Sequence, residues 1–325
     1  MKRRMWINTT VNKDMKKGFT LSFLFSRMFC VTPFFNALAK MEVPLDDCHL
    51  IIFDNTDMPM LLKMLMDVGR QLKTRFYTLR LYKSWRQGGM VTMLDEQRGI
   101  KKINKPTRIP FIIEGYKDIL NMTTTDLLIN IEDDTLAPPH TIMKLLDNYE
   151  SLGPNVFIGG VEPNRMGVGT EKPRLGAHYF YVDDGALLQR VSPSSICRGI
   201  KKVDATGHYC FITEKKTFLR GMEDMPVFIN NPSQISFDGY HTYNLTRNNI
   251  PVYVDFDIRC EHMHTTPDRI IYAKVHNATP QVDYYIPQYR SWAIGVQLKE
   301  DILDRPDFDK WRIPSKKCLR CPKKN

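Results

Sequence analysis

The sequence predicts an α/β fold: a mixed, mostly parallel sheet flanked by helices, followed by a more irregular half. Three observations predict it. The first half alternates short apolar runs with stretches of helical spacing. The runs are too continuously apolar for half-exposed strands and too short for helices, which suits strands buried on both faces. Two of the runs end in carboxylates, at the strand ends where open α/β sheets hold their ligands.

Taken in order, residues 1–18 read as a basic, polar leader. Phe19 to Phe25 is the first buried strand. Thr32-Pro33 predicts a helix start, with Thr as N-cap and Pro at the first helical position, and the helix runs from Phe34 to Met41. Leu50 to Phe53 is a second buried strand, ending in Asp54-Asn55-Thr56-Asp57. Met60 to Leu72 has helical spacing, and Phe76 to Tyr82 alternates as a strand. Lys83 to Lys105, with Gly88-Gly89, reads as a loop. Ile109 to Leu120 is a helix entered through Thr107 and Arg108. Leu127 to Ile131 is a third buried strand, running directly into Glu132-Asp133-Asp134. After Pro138-Pro139, Thr141 to Tyr149 is a helix and Val156 to Ile158 a strand.

The second half carries fewer regular signals. Tyr179 to Val182 and Leu187 to Val191 flank Asp183-Asp184-Gly185 as a hairpin. Cys210 to Thr213 reads as a strand, Gly239 to Asn248 as a helix, and Pro251 to Arg259 as a strand leading to His262 and His264.

Composition narrows the function classes. The chain has 325 residues, 42% of them hydrophobic, enough to bury a large core without staples. Seven irregularly spaced cysteines do not make a disulfide framework and read as reduced thiols. Cys318 and Cys321 supply only two of the four ligands of a structural zinc site. The apolar stretch from Phe19 to Phe35 is interrupted by Arg27 and Pro33. It suits neither a signal peptide nor a membrane span, so a cytoplasmic protein is expected. The net charge of +10 favours an acidic partner such as nucleic acid, anionic lipid or polyphosphate.

The residues able to carry chemistry cluster at strand ends. Three successive carboxylates in Glu132-Asp133-Asp134 repel one another unless solvated or holding a cation, and hard oxygen ligands suit Mg²⁺ or Mn²⁺. Asp54 suits either a base or ribose contact or an Asx turn. His262 and His264 share one strand face and read either as metal ligands or as ordinary polar residues. Asp238, before a helix, serves either as a cap or as a general base.

The order of these motifs resembles the GT-A (Rossmann-like) glycosyltransferases, particularly the family-2-type branch. Leu50 to Asp57 (LIIFDNTD) looks like that family's strand ending in a base-binding Asp. Leu127 to Pro138 (LLINIEDDTLAP) looks like its DxD segment. Asp204 to Ile212 (DATGHYCFI) is similar to its acceptor loop, Phe237-Asp238 to the place of its catalytic base, and Val252 to His262 to its late strand with a metal-binding His.

The resemblance implies a nucleotide-sugar donor and a divalent metal, Mn²⁺ or Mg²⁺. Phe25 and Ser26 would lie against the nucleotide, Asp54 would bind the base, and Arg108 would approach the phosphates. Glu132 and Asp133 would contact ribose and metal. Asp134 and His262 would ligate the metal, with His264 as the competing ligand, and Asp238 would act as base in an inverting transfer. Two departures are visible: Glu stands first in the DxD, and Phe237 stands where the family has Glu. The implied division is a donor half over 19–150, an acceptor half over 151–270 and an extension over 271–325.

Phage enzymes of this general type glycosylate hydroxymethylated pyrimidines. The lysine clusters, with Tyr179, Phe180, Tyr181, Tyr284, Tyr285 and Trp292, suit 5-hydroxymethylcytosine in DNA as acceptor. The same aromatics suit core packing. The rival expectations are an acceptor on a glycan, lipid-linked sugar or protein, and a non-catalytic nucleic-acid-binding protein on the same scaffold.

Overall fold

The computed structural model describes residues 4–8, 18–56, 59–72, 76, 78–83, 105–162, 179–182, 187–190, 198–223, 237–265, 270–276 and 279–285. Its centre is a nine-stranded sheet. The strands, in spatial order, are β1 (Arg4–Asn8), β4 (Thr78–Lys83), β3 (Cys48–Asp54), β2 (Phe19–Phe25), β5 (Leu127–Glu132), β11 (Cys210–Glu214), β7 (Phe157–Val161), β12 (Val252–Arg259) and β10 (Ile200–Val203). Strands β2, β3, β4, β5, β7 and β12 run one way; β1, β10 and β11 run the other. The sheet is thus mixed and mostly parallel, as expected. Two smaller sheets join it. One contains β6 (Thr135–Leu136), β13 (Glu261–Thr265), β14 (Ile270–His276) and β15 (Thr279–Tyr285). The other is the expected hairpin of β8 (Tyr179–Val182) and β9 (Leu187–Arg190).

Strand alternation divides the core between the two faces of the sheet. Leu50 and Ile52 of β3 point to one side, and Ile51 and Phe53 to the other. The first side is covered by α1 (Met28–Leu38), α2 (Pro59–Leu72) and α4 (Thr141–Leu152). The second is covered by α3 (Lys105–Met122), α5 (Lys215–Met222) and α6 (Phe237–Arg247). The central strands between them are buried on both faces, which explains their mostly apolar runs.

Several elements differ from expectation; helix Phe237–Arg247, for one, opens two residues before Gly239 and takes Asp238 into its first turn. The first helix begins at Met28, so Pro33 lies inside it instead of opening it. An interior proline costs about 3 kcal/mol in an isolated helix. Here the segment is buried along most of its length, and the carboxylate of Asp133, in the turn after β5, stands at its amino end, so tertiary contacts override the local signal. The helix expected from Ile109 begins at Lys105, because proline is tolerated in a first turn. Within the stretch read as a leader, Arg4–Asn8 adds an edge strand antiparallel to β4. Among the described residues no helix is long and apolar enough to cross a membrane. The Cys318–Cys321 pair and the loop over 84–104 lie outside the described residues. Cys30, Cys48, Cys210 and Cys260 are buried, and none of them forms a disulfide.

Candidate active site

Parallel register brings the ends of three central strands level. Phe25 of β2 pairs with Asp54 of β3, and Leu24 with Glu132 of β5. The residues that follow, Ser26, Asn55 and Asp133, therefore meet at one sheet edge. The Asn55 N–H donates to the Phe25 carbonyl at 2.9 Å and ties two of the ends together.

Asp133 is the hub of this edge. Its Oδ2 accepts from the Ser26 N–H at 2.7 Å, the Ser26 hydroxyl at 3.2 Å and the Arg27 N–H at 3.0 Å. Its Oδ1 accepts from the Arg27 guanidinium. A carboxylate at the start of α1 also suits the positive end of the helix dipole. Burial pushes this carboxyl up, and Arg27 and the Ser26 donors oppose that.

Arg27 reaches further, to Asp134 Oδ2 at 3.1 Å. Burial works against its charge, but Asp133 and then Asp134 more than restore it, so the guanidinium stays protonated. Sequence reasoning treated Arg27 only as a break in an apolar run. Its signal was a lone charge after a buried strand, and its partners lie more than a hundred residues away.

Asp134 is almost fully buried, and the backbone explains how His262 meets it. After the acidic turn, Thr135–Leu136 pairs antiparallel with β13, placing His262 opposite Thr135. The Met263 N–H donates to the Asp134 carbonyl at 2.7 Å. His262 Nε2 then lies 3.2 Å from Asp134 Oδ2. His264 lies further along β13, beyond the β6 pairing.

Glu132 and Asp238 face each other electrostatically. Burial pushes the Glu132 acid well above its ordinary range, and Asp134 and then Asp238 add to the shift. Asp238 is half-buried in the first turn of α6. Gly207 lies against it: a Cβ there would come within 2.4 Å of the Tyr209 ring and 3.0 Å of Asp238 Oδ2. The Gly207 loop is pinned to α6. Thr242 Oγ1 accepts from the Thr206 N–H at 2.9 Å and donates to the Thr206 carbonyl at 2.7 Å, and the Thr246 hydroxyl donates to the Asp204 carbonyl at 2.8 Å.

Three other expected residues sit differently. Asp54 is fully buried, and its Oδ1 accepts from the Thr56 N–H at 2.9 Å and hydroxyl at 2.7 Å, which is the Asx-turn geometry. Phe25 carries its ring into the core between Phe34 and Phe35, so only its backbone borders the strand-end edge. Arg108 lies in α3, with its side chain outside the described residues, as are those of the hairpin aromatics.

One acidic residue escaped sequence reasoning altogether. Glu162, just after β7, is fully buried beside the same site. Its acid is pushed well above its ordinary range by burial, then by Asp134 and Glu132. A single Glu after an apolar strand has no local pattern to mark it.

Arg27 thus lies among Glu132, Asp133 and Asp134, Asp238 acts on Glu132, and Glu162 and His262 lie near Asp134. Carboxylate oxygens with one imidazole nitrogen form a donor set that suits Mn²⁺ or Mg²⁺. An excess of buried carboxyls with raised acids is what an added cation would relieve. Among the described residues no three such donors already stand in ligating geometry; Asp134 Oδ2 instead faces Arg27 and His262.

No family model and no curated protein sequence matches the chain. Solved structures do. The chain is similar to GalNAc-T7 with UDP, GalNAc and Mn²⁺, with a TM-score of 0.51 and 10% identity, over 78% of this chain and 45% of that one. It is also similar to the mannosyltransferase PcManGT from Pyrobaculum calidifontis in complex with GDP-Man and Mn²⁺ (TM-score 0.44, 11% identity, 74% of this chain and 57% of that one). A third is S. aureus TarS 1-349 in complex with UDP-GlcNAc (TM-score 0.43, 10% identity, 73% and 55%). The chain therefore spans less than two thirds of each. The likeness to GalNAc-T7 shows the fold, which is that of the GT-A glycosyltransferases.

Proposed function

We propose that this chain is a metal-dependent glycosyltransferase using a nucleotide-sugar donor. The observation that carries the reading is the meeting of Asp134 with His262, at 3.2 Å, beside Glu132 at the end of the central strand. Residues far apart in sequence converge there on a donor set for a hard cation, next to the level strand ends where this class of sheet binds nucleotides.

Asp134 and His262 would hold the cation, which when bound supplies positive charge to the donor's diphosphate as the nucleotide leaves. Asp54 and Ser26 would line the nucleoside end, Phe25 contributing backbone only. Glu132 and Asp133 would face the ribose, and Arg27 and Arg108 the phosphates. Asp238 is the general base. It takes the proton from the acceptor hydroxyl as that oxygen bonds to the anomeric carbon and the bond to the phosphate oxygen breaks. Its half-buried position in the first turn of α6, against Gly207, supports that role. A single displacement of this kind inverts the anomeric configuration.

For the acceptor we propose the hydroxymethyl group of 5-hydroxymethylcytosine in DNA. The net charge of +10 supports a polyanion, and the exposed Lys201 and Lys202 of β10 lead into the Asp204–Tyr209 loop. The test is a nucleoside mass spectrum of hydroxymethylated duplex DNA incubated with nucleotide-sugars and Mn²⁺. A hexose-sized mass gain is expected, lost in Asp134→Asn and on chelation. Donor hydrolysis without that gain would retain the transferase and refute the DNA acceptor. Neither signal with any donor would refute the transferase.

A further inference from the structure

We propose that Glu162 is a positioning residue for His262: it takes the Nδ1–H of the imidazole and so leaves the Nε2 lone pair facing the cation position beside Asp134. This rests on the proposed metal role of Asp134 and His262.

The imidazole lies between two carboxylates, one at each nitrogen. Nε2 is 3.2 Å from Asp134 Oδ2, and Nδ1 is 3.5 Å from Glu162 Oε2. Glu162 is fully buried and held from its other oxygen, where the Thr135 hydroxyl donates to Oε1 at 2.9 Å. Its Oε2 has no hydrogen-bond partner among the described residues. A buried carboxylate oxygen without a donor is costly, and a merely space-filling position would be better served by an apolar side chain. His262 Nδ1, able to donate, stands 3.5 Å from it, and a small shift of the ring would bring the two within hydrogen-bond range.

Tautomer chemistry gives that contact its purpose. A neutral imidazole has one N–H. With the hydrogen on Nε2, the ring donates to Asp134 and offers no lone pair there. With it on Nδ1, the ring donates to Glu162 and Nε2 becomes a ligand beside Asp134. Once a cation beside Asp134 offsets the burial that raises the Glu162 acid, its carboxylate behind the imidazole selects the second state and fixes the ring plane. One backbone register sets both halves of the arrangement. His262 pairs with Thr135 across β13 and β6, so the strand pairing that brings the ring to Asp134 also brings the hydroxyl that orients Glu162.

The experiment is a Mn²⁺ titration of the full chain, with free ion read by electron paramagnetic resonance and folding checked by circular dichroism. Glu162→Leu should weaken Mn²⁺ binding by about 10–100-fold. Glu162→Gln, whose amide oxygen accepts the same N–H, should stay close to wild type. His262→Ala reports on the underlying metal site. Should Glu162→Leu not fold, Thr135→Val, which frees the carboxylate to turn, should weaken binding several-fold while retaining the fold. With diamagnetic Mg²⁺, the His262 ring ¹⁵N shifts should report a protonated Nδ1. Wild-type affinity in Glu162→Leu, alongside weakened His262→Ala, overturns the role of Glu162 and leaves the metal site standing. Equal weakening in Gln and Leu variants overturns the hydrogen-bond account. No Mn²⁺ binding by wild type, or none lost in His262→Ala, overturns the metal site and the role of Glu162 with it.

Discussion

Acidification should loosen the Gly207 loop from α6, through a buried pair of histidines. His208 and His241 are fully enclosed, with the rings of Tyr116, Phe157, Phe211, Phe218 and Phe237 around them. The Phe218 carbonyl can only accept, so His241 Nε2 donates to it, at 2.9 Å. Burial holds both rings neutral, so His241 Nδ1 accepts from His208 Nε2, at 3.0 Å. Burial lowers His241 from 6.5 to about 4 and pushes His208 well below its ordinary value, with His241 adding to that shift.

The sign follows from where the protons go. Below about pH 6.5 the unfolded chain protonates these rings while the folded chain does not. Their contribution to stability is complete above that pH and is lost as pH falls toward the folded value, at about 1.4 kcal/mol per unit for each ring. His241 alone therefore costs about 3 kcal/mol by pH 4. Glu132 and Glu162 act in the opposite sense, since their raised acids let the folded state bind protons first. A comparison with His241→Gln cancels them, because the amide keeps a donor and an acceptor but does not titrate. Urea unfolding at pH 7.5 and pH 4, followed by circular dichroism, should show wild type losing about 3 kcal/mol more than the variant. Parallel losses in the two proteins would refute the reasoning.

Two further substitutions probe the site. Arg27→Met leaves Asp133 and Asp134 buried without their counter-ion, which should cost about 3–5 kcal/mol, and saturating Mn²⁺ should raise the melting temperature of the variant more than that of wild type. An unchanged melting temperature, or an equal response to Mn²⁺, would show that Arg27 and the cation do not share a site. Gly207→Ala puts a methyl into the Tyr209 ring and against Asp238; it should cost about 1–3 kcal/mol and lower kcat for transfer with little change in donor KM. A kinetically silent Gly207→Ala would separate that loop from the chemistry.

What could be read without a structure was whatever a short stretch of chain determines by itself. Phe19–Phe25, Leu50–Phe53 and Leu127–Ile131 announce strands because each is buried on both faces, so apolar residues dominate them, while the buried Thr20, Ser22 and Asn130 are hydrogen-bonded. The Glu132-Asp133-Asp134 turn announces itself because three carboxylates at a strand end need a reason to be together. Local rules failed where tertiary partners outweighed them. Thr32-Pro33 signals a helix start, yet the helix opens at Met28, directly after Ser26 and Arg27, whose N–H groups Asp133 receives. Arg27 looked like an interruption and is the counter-ion of Asp133 and Asp134. Glu162 carried no pattern at all. His262 and His264 share a strand face and cannot be told apart by spacing; pairing of Thr135 with His262 is what brings one ring to Asp134. The sequence by itself thus determined the layered sheet and the position of its acidic edge, since burial and charge repulsion act on neighbours along the chain. Only the tertiary structure decided which distant side chains meet that edge, because strand register, not sequence proximity, sets those distances.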